Sequence, residues 1–277
     1  MLCSTVPCRA AKLSPDNTSG IVTNMDRTPF HLSFTETHVP KWPCSKCGAG
    51  QLALAPKTLV HKETPESLRE HEHEEWDAAW IRYGFSCIFE CTNANCKEVV
   101  SCCGEGRLEF FEYEDEGHGP VQSSDDRFSP RYFNPPLVLM DIPGSCPPEA
   151  TARLTESFAL FFADPGAALN CTRAAVEAVL TNLGIKRFVL ANGKRKPVNL
   201  HQRIQLLSPR YNELKEMLLA VKWLGNAGSH DGDKPNAADV RRTYDLLEHA
   251  LSEIYEAKGQ KLKAFAKKVN KKKGPLK

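Results

Sequence analysis

The chain has 277 residues, of which 41% are hydrophobic and 25% charged, with a net charge of +2. That is enough for two modest globular domains with a real core, and no apolar run approaches the roughly 20 residues a bilayer-spanning helix needs, so no membrane contact is expected. The charge is unevenly spread: residues 258–277 hold nine lysines and no acidic residue, leaving a mildly acidic body and a basic tail.

In chain order, residues 1–35 mix Pro, Ser, Thr, Asn and Asp without periodicity and are expected to be irregular. Residues 36–113 read as a zinc-ribbon-like β domain. Cys44-Ser-Lys-Cys47-Gly48 has the two-residue spacing of a zinc knuckle, in which Gly48 lets the backbone turn so that its amides point at the thiolates. Cys91-Thr-Asn-Ala-Asn-Cys96 is looser, but Cys91 ends an apolar-rich run from Phe85, and Cys96 precedes the β-like stretches Val99-Val100 and 108–113. Two strands meeting at a knuckle build a zinc ribbon, so Cys44, Cys47, Cys91 and Cys96 are the expected ligands of one structural Zn²⁺.

The alternatives are chance coincidence among eleven cysteines, or disulfides. The chain opens Met-Leu-Cys-Ser-Thr-Val-Pro, without the basic and apolar regions of a secretory signal. The expected compartment is therefore a reducing cytoplasm, where paired cysteines bind metal more often than they cross-link. Cys87 in a strand and Cys171 in a helix read as small hydrophobes. Cys102 and Cys103 precede Gly104 in an expected turn, where either could replace a misassigned ligand; Cys3, Cys8 and Cys146 lie in loop-like surroundings.

Between the knuckles, residues 64–80 read as a polar helix with Thr64 as N-cap and Pro65 in its first turn. Its His71 and His73 are two apart, so they point to different faces and read as solvated. Residues 114–147, rich in proline with acidic, Gly and Ser clusters, read as a connector.

Residues 148–257 carry helical periodicity and read as an all-α bundle. A first helix over 149–162 presents Leu154, Phe158, Phe161 and Phe162. Asp164-Pro165 caps a second, which runs through Leu169, Val176, Val179 and Leu180 to Gly184. A basic loop over 186–197 leads to Asn199, the cap of a short third helix. A fourth carries Leu214, Leu218, Val221 and Leu224. After a Gly-rich break, Asn236 caps a fifth, with Asp239 favourably placed against the helix dipole. Five amphipathic helices with short links need one another's apolar faces. The fold class expected is thus α+β: a small zinc-ribbon-like β module followed by a helical bundle, then the lysine tail 258–277.

The run from Ser157 through Ala163-Asp164-Pro165-Gly166 to Arg173 and Glu177, followed by Lys222-Trp-Leu-Gly-Asn-Ala-Gly-Ser-His230-Asp, resembles the bacterial family called domain of unknown function 4145. The resemblance covers the helical half, and family members often carry a cysteine-paired segment in front. It implies a fold related to the HEPN group of helical bundles and an occurrence alone or with restriction and other phage-defence proteins, with no settled activity.

In ribonuclease members of the HEPN group, an Arg followed by a polar residue precedes a His by four to six positions; imidazole moves the 2′-hydroxyl proton while guanidinium holds the phosphate. Aligning Asn226 and His230 with that motif puts Gly225 where the Arg should stand. Lys222 could bring a cation nearby, but lysine lacks a bidentate fork. Arg173 and Glu177, spaced i, i+4, form either a helix-surface pair or a polar cluster with His230. Arg242 and His249, mid-helix, need no special role. His230 with Asp231 and Asp233 could be a metal site, although aspartates beside glycine more often form turns. The favoured role of Asn226 and His230 is to terminate the helix and bond its free carbonyls.

The lysine tail is either an arm lying along RNA or DNA or a solvated end. The functional expectation is a non-catalytic interaction or nucleic-acid-associated protein, self-associating through its helices as a homodimer, with restriction or defence proteins as partners. The competing reading is a metal-independent endoribonuclease in which His230 is the base and Lys222 or Arg173 replaces the usual arginine.

Overall fold

A computed structural model describes residues 30–115, 119–227, 234–256 and 258–275. Its sheet is built on β3 (Arg82–Cys91), in which Phe85, Cys87, Phe89 and Cys91 alternate inward with exposed neighbours, the period of two that buries one face of a strand. Two short strands share one edge of β3: β1 (Leu52–Leu54) pairs with its end, Leu52 opposite Cys91, and β2 (Val60–Glu63) with its start, Val60 opposite Ser86. On the other edge lies β4 (Val99–Asp115), followed by β5 (Gly119–Asn134), all antiparallel.

β5 occupies much of the stretch that its prolines assign to a connector. It tolerates them because it is the last strand of the sheet order, where a missing N–H need not break a ladder. Pro130 also sits where the register slips between Cys103 and Gly104, a bulge that interrupts the pairing anyway. Phe34 bridges to Phe128 on this strand through a pair of backbone bonds of 2.9 and 2.8 Å.

The expected helix over 64–80 is shorter. α1 covers Pro65–Glu70, and its Thr64 cap accepts a hydrogen bond from the Ser67 amide at 3.2 Å. Residues 71–75 then offer no apolar side chain to bury, and only a 3-10 turn, Ala78–Trp80, follows before β3.

The helices follow their predicted caps. α2 (Pro148–Leu160) and α3 (Pro165–Asn182) are separated by Asp164, whose carboxylate accepts from the Ala167 amide at 2.9 Å. α4 (Leu200–Gln205) begins at a capping box of Asn199 and Gln202. α5 (Asn212–Ala227) precedes α6 (Ala237–Leu251), which opens on a second capping box, Asn236 with Asp239. α7 (Lys258–Lys272) gives the lysine-rich tail a helical course. The basic loop of the sequence reading is a hairpin of β6 (Phe188–Ala191) and β7 (Lys194–Pro197), turning at Asn192 and Gly193 with φ of 52° and 70°. Positive φ at both positions is the type I′ signature that Asn-Gly favours.

α3 packs against α2, α5 and α6. Sheet and helices share one continuous core rather than standing as separate units. A chain of aromatic rings runs through it: Trp42 to Phe133 at 5.1 Å, Phe133 to Phe162 at 5.0 Å, Phe162 to Phe161 at 4.8 Å, then Phe161 to Tyr244 at 6.3 Å. Buried Tyr244 also meets Ser157 at 2.8 Å, and Ser157 donates to the Ala168 carbonyl, so the phenol's proton goes to Ser157.

Candidate metal centre

The first cysteine loop hangs from the fully buried Trp42 and closes through the bridge between Pro43 and Gln51. Cys44 donates to the Gly50 carbonyl at 2.8 Å and accepts from the Gly48 amide at 2.9 Å, with Gly48 at φ 63° as its spacing demands. The second loop leaves the end of β3: the Cys91 amide donates to Glu98 at 2.9 Å and the Cys96 amide to Asn93 at 2.9 Å. Gln51 and Thr92 tie the loops together through the Thr92 amide to the Gln51 carbonyl at 2.9 Å and the Gln51 amide to the Thr92 hydroxyl at 3.0 Å. Lys46 and Glu98 form an ion pair across the mouth at 2.6 Å.

These contacts bring the four predicted cysteines together. The sulfurs of Cys44 and Cys96 are 3.8 Å apart, those of Cys47 and Cys91 are 3.7 Å apart, and all four lie within 4.8 Å of one another. A disulfide needs sulfurs about 2 Å apart, so the cysteines are free thiols in an arrangement that can hold one metal ion.

The surrounding amides suit thiolates. Gly50 N–H points at the Cys47 sulfur at 3.4 Å and Asn93 N–H at the Cys91 sulfur at 3.4 Å, while the Asn93 side chain reaches Cys47 at 3.7 Å. The Gly50 and Ala49 amides lower the Cys47 thiol to about 6, whereas burial pushes Cys91 up to about 12. Four sulfurs this close cannot all carry charge without a cation among them, which is what a metal supplies. Sequence reasoning singles out Gly48 and misses Asn93 and Gly50. Neither has a signal in its own neighbourhood: the Asn93 side chain reaches a sulfur of the opposite loop, and Gly50 leaves the room beside which the Cys91 sulfur sits.

Cys102 and Cys103 do not join the site. Cys102 faces Cys87 across the β3–β4 pair, and its hydrogen bond to that thiol, with burial, raises it far above the ordinary thiol range. Cys103 is exposed on the strand. His71 bonds Glu63 at 2.7 Å, and neither it nor His73 belongs to the metal cluster.

The second candidate region lies where α3 crosses α5. Gly225 is the point of closest approach: a Cβ there would come within 2.8 Å of the Arg173 Cβ and 3.0 Å of the Leu169 carbonyl. Arg173 pairs with Glu177 at 3.6 Å, and Arg187 reaches the same carboxylate at 3.9 Å. Lys222 turns its ammonium over the ring of Trp223, 3.0 Å from the centroid. Asn226 is half-buried on the last turn of α5. His230, with Asp231 and Asp233, lies outside the described residues. Arg203, which the sequence does not single out, is buried and donates to Thr181 at 2.8 Å, to the Ile185 carbonyl at 3.0 Å and to the Glu177 carbonyl at 3.3 Å, tying down the end of α3.

The chain is therefore a mixed α+β protein whose sheet carries a four-cysteine cluster and whose remainder is largely helical. Residues 155–272, from within α2 through α7, match the family model described as Domain of unknown function (DUF4145). Residues 32–133 match a second model, Domain of unknown function (DUF8608), which spans the sheet as far as the end of β5. No curated protein and no solved structure matches the chain. Among the described residues no helix is long and apolar enough to cross a membrane.

Proposed function

We propose that the protein is a non-catalytic, nucleic-acid-associated interaction protein whose four cysteines hold a structural Zn²⁺. The carrying observation is the sulfur geometry. A tetrahedral zinc with bonds of about 2.3 Å has sulfurs separated by about 3.8 Å along each edge, and two of those edges are 3.8 and 3.7 Å here. Four thiolates leave no open coordination position for substrate or water, so the metal's part is to fold the loops and join them. A zinc-ribbon-like grouping of β1, β3 and β4 about that ion, with a HEPN-like helical bundle behind it, is the architecture this reading takes.

The nucleic-acid arm is α7 with the residues after it. The sequence of this helix is rich in lysine and has no acidic residue, and Phe265 is 57% exposed. Such a helix neutralises backbone phosphates with little sequence preference and steep salt dependence. The reading also takes cytoplasmic residence and, from the family resemblance of the helical half, association with restriction or phage-defence proteins. Metal analysis of reduced protein together with oligonucleotide binding tests it. One zinc per chain is expected, with binding to single- or double-stranded oligonucleotides that weakens steeply between 50 and 200 mM salt on the order seen for multiple phosphate contacts and is lost on deleting residues 258–277. Zinc-free protein, or binding indifferent to the deletion, refutes it.

A second reading, a metal-independent ribonuclease, draws support from Arg173, whose aliphatic stem packs on Gly225 beside Asn226 while its guanidinium pairs with Glu177. In that case chelator-treated protein cleaves single-stranded RNA, and both His230→Ala and Arg173→Ala abolish cleavage.

A further inference from the structure

Two ribbons leave the body of the molecule with strand edges open and apolar side chains in solvent. β4 is paired with β3 only as far as Arg107, and the 3-10 turn Ala78–Trp80 just before β3 also packs on β4; the β4–β5 ribbon continues to its tip with Phe110, Phe111 and Tyr113 exposed by 40, 42 and 49%. Described cations are absent from its outer part, where Glu112 and Glu114 stand exposed two residues apart on one face. The second ribbon is the β6–β7 hairpin. It presents Phe188, Val189 and Leu190, the last 81% exposed, with Lys186, Lys194, Arg195 and Lys196 and no acidic residue of its own, while Arg187 at its base reaches Glu177. Lys194 and Lys196 also share one face two residues apart, and Arg195 lies over the Phe188 ring at 3.9 Å.

Exposed apolar groups and unpaired strand edges each call for a partner. Here the two ribbons have opposite charge at the same repeat of about 7 Å, twice the rise of an extended residue. Neither Glu112 and Glu114 nor Lys194 and Lys196 make ion pairs among the described residues.

We propose that two copies of the chain associate by exchanging these ribbons. The free edge of β4 in one copy adds antiparallel to the outer edge of β7 in the other. Glu112 then stands opposite Lys196, Glu114 opposite Lys194, and Tyr113 opposite Arg195. The reciprocal contact closes the pair, as a two-fold interface requires. A nucleic acid would suit the hairpin alone and leave the acidic aromatic ribbon unaccounted for, whereas a second copy covers both. A membrane is disfavoured by the hairpin's polar Asn192-Gly193 tip, where insertion would need apolar residues.

Charge reversal tests the register. Mass is measured by sedimentation for the full chain and two double variants, Glu112→Lys with Glu114→Lys and Lys194→Glu with Lys196→Glu; circular dichroism and metal content verify that each is folded. The unaltered protein is expected to be dimeric, with each variant raising the dissociation constant by at least about tenfold. An equimolar mixture of the two variants should restore the dimer, because both of its contacts then join opposite charges. A chain that is monomeric at all concentrations, variants that associate like the parent, or a mixture that stays monomeric overturns the proposal. So does a hairpin variant whose only loss is binding to an oligonucleotide or to anionic vesicles.

Discussion

A methyl group at position 50 would fall inside van der Waals contact of the Cys91 sulfur and 2.9 Å from the Cβ of Asn93, while one at position 48 would meet nothing within 4 Å. The two glycines of one short loop therefore serve different ends. Gly48 is needed for its backbone angle, Gly50 for the space it leaves to the facing loop. Gly48→Ala should cost about 1–2 kcal/mol through its left-handed conformation, read as a lower unfolding midpoint with metal still held. Gly50→Ala should instead loosen the cluster, with about tenfold weaker metal retention in competition with a chelator, the size of loss typical when the shell around a metal is disturbed. The spacing of Cys44 and Cys47 makes Gly48 readable from sequence, since its duty is local. Gly50 answers to Cys91 and Asn93 at the end of β3 and in the loop after it, which no local pattern encodes. The same holds at Gly225: its neighbour Arg173 belongs to another helix, so alignment with a motif finds only a missing arginine where the fold needs a close crossing.

Helices and strands differ in how plainly they announce themselves. Asp164, Asn199 and Asn236 each act as the caps their positions suggest, because a cap and its amide partners lie within three residues. Asn236 bonds the amides of Ala238 and Asp239, and Asp239 returns a bond to the Asn236 amide at 3.0 Å. Replacing Asn236 by Ala should cost about 1 kcal/mol, measured by urea unfolding, with faster amide exchange confined to the first turn of α6. The two ribbons are harder to see. In β5 the prolines outweigh a weak alternation, and their tolerance depends on a bulge and an edge position that only the assembled sheet defines. In β6–β7 the Asn-Gly turn is an explicit hairpin signal, but three consecutive cations after it hide the strand. The four clustered cysteines were legible because metal-site spacing is itself a sequence pattern; the joint core was not, since ring-to-ring contacts between distant residues leave no periodic trace.

That joint core sets how the molecule responds as a whole. The ring chain starts at Trp42, two residues from Cys44, and ends at Tyr244 on α6, so disorder in the cysteine loops removes a wall of the helical core. Stripping the metal from reduced protein should lower the melting temperature of the helices along with that of the sheet, in one transition by circular dichroism and calorimetry; two transitions, with helices indifferent to chelation, would mean the halves unfold independently. Trp42 also gives the protein a built-in optical gauge. Trp76, Trp80 and Trp223 all retain contact with solvent, whereas Trp42 has none. The short-wavelength part of the indole emission therefore belongs to one ring beside the cysteine loop, and its drift to the red reports, without any label, the moment water first enters between loop and helices.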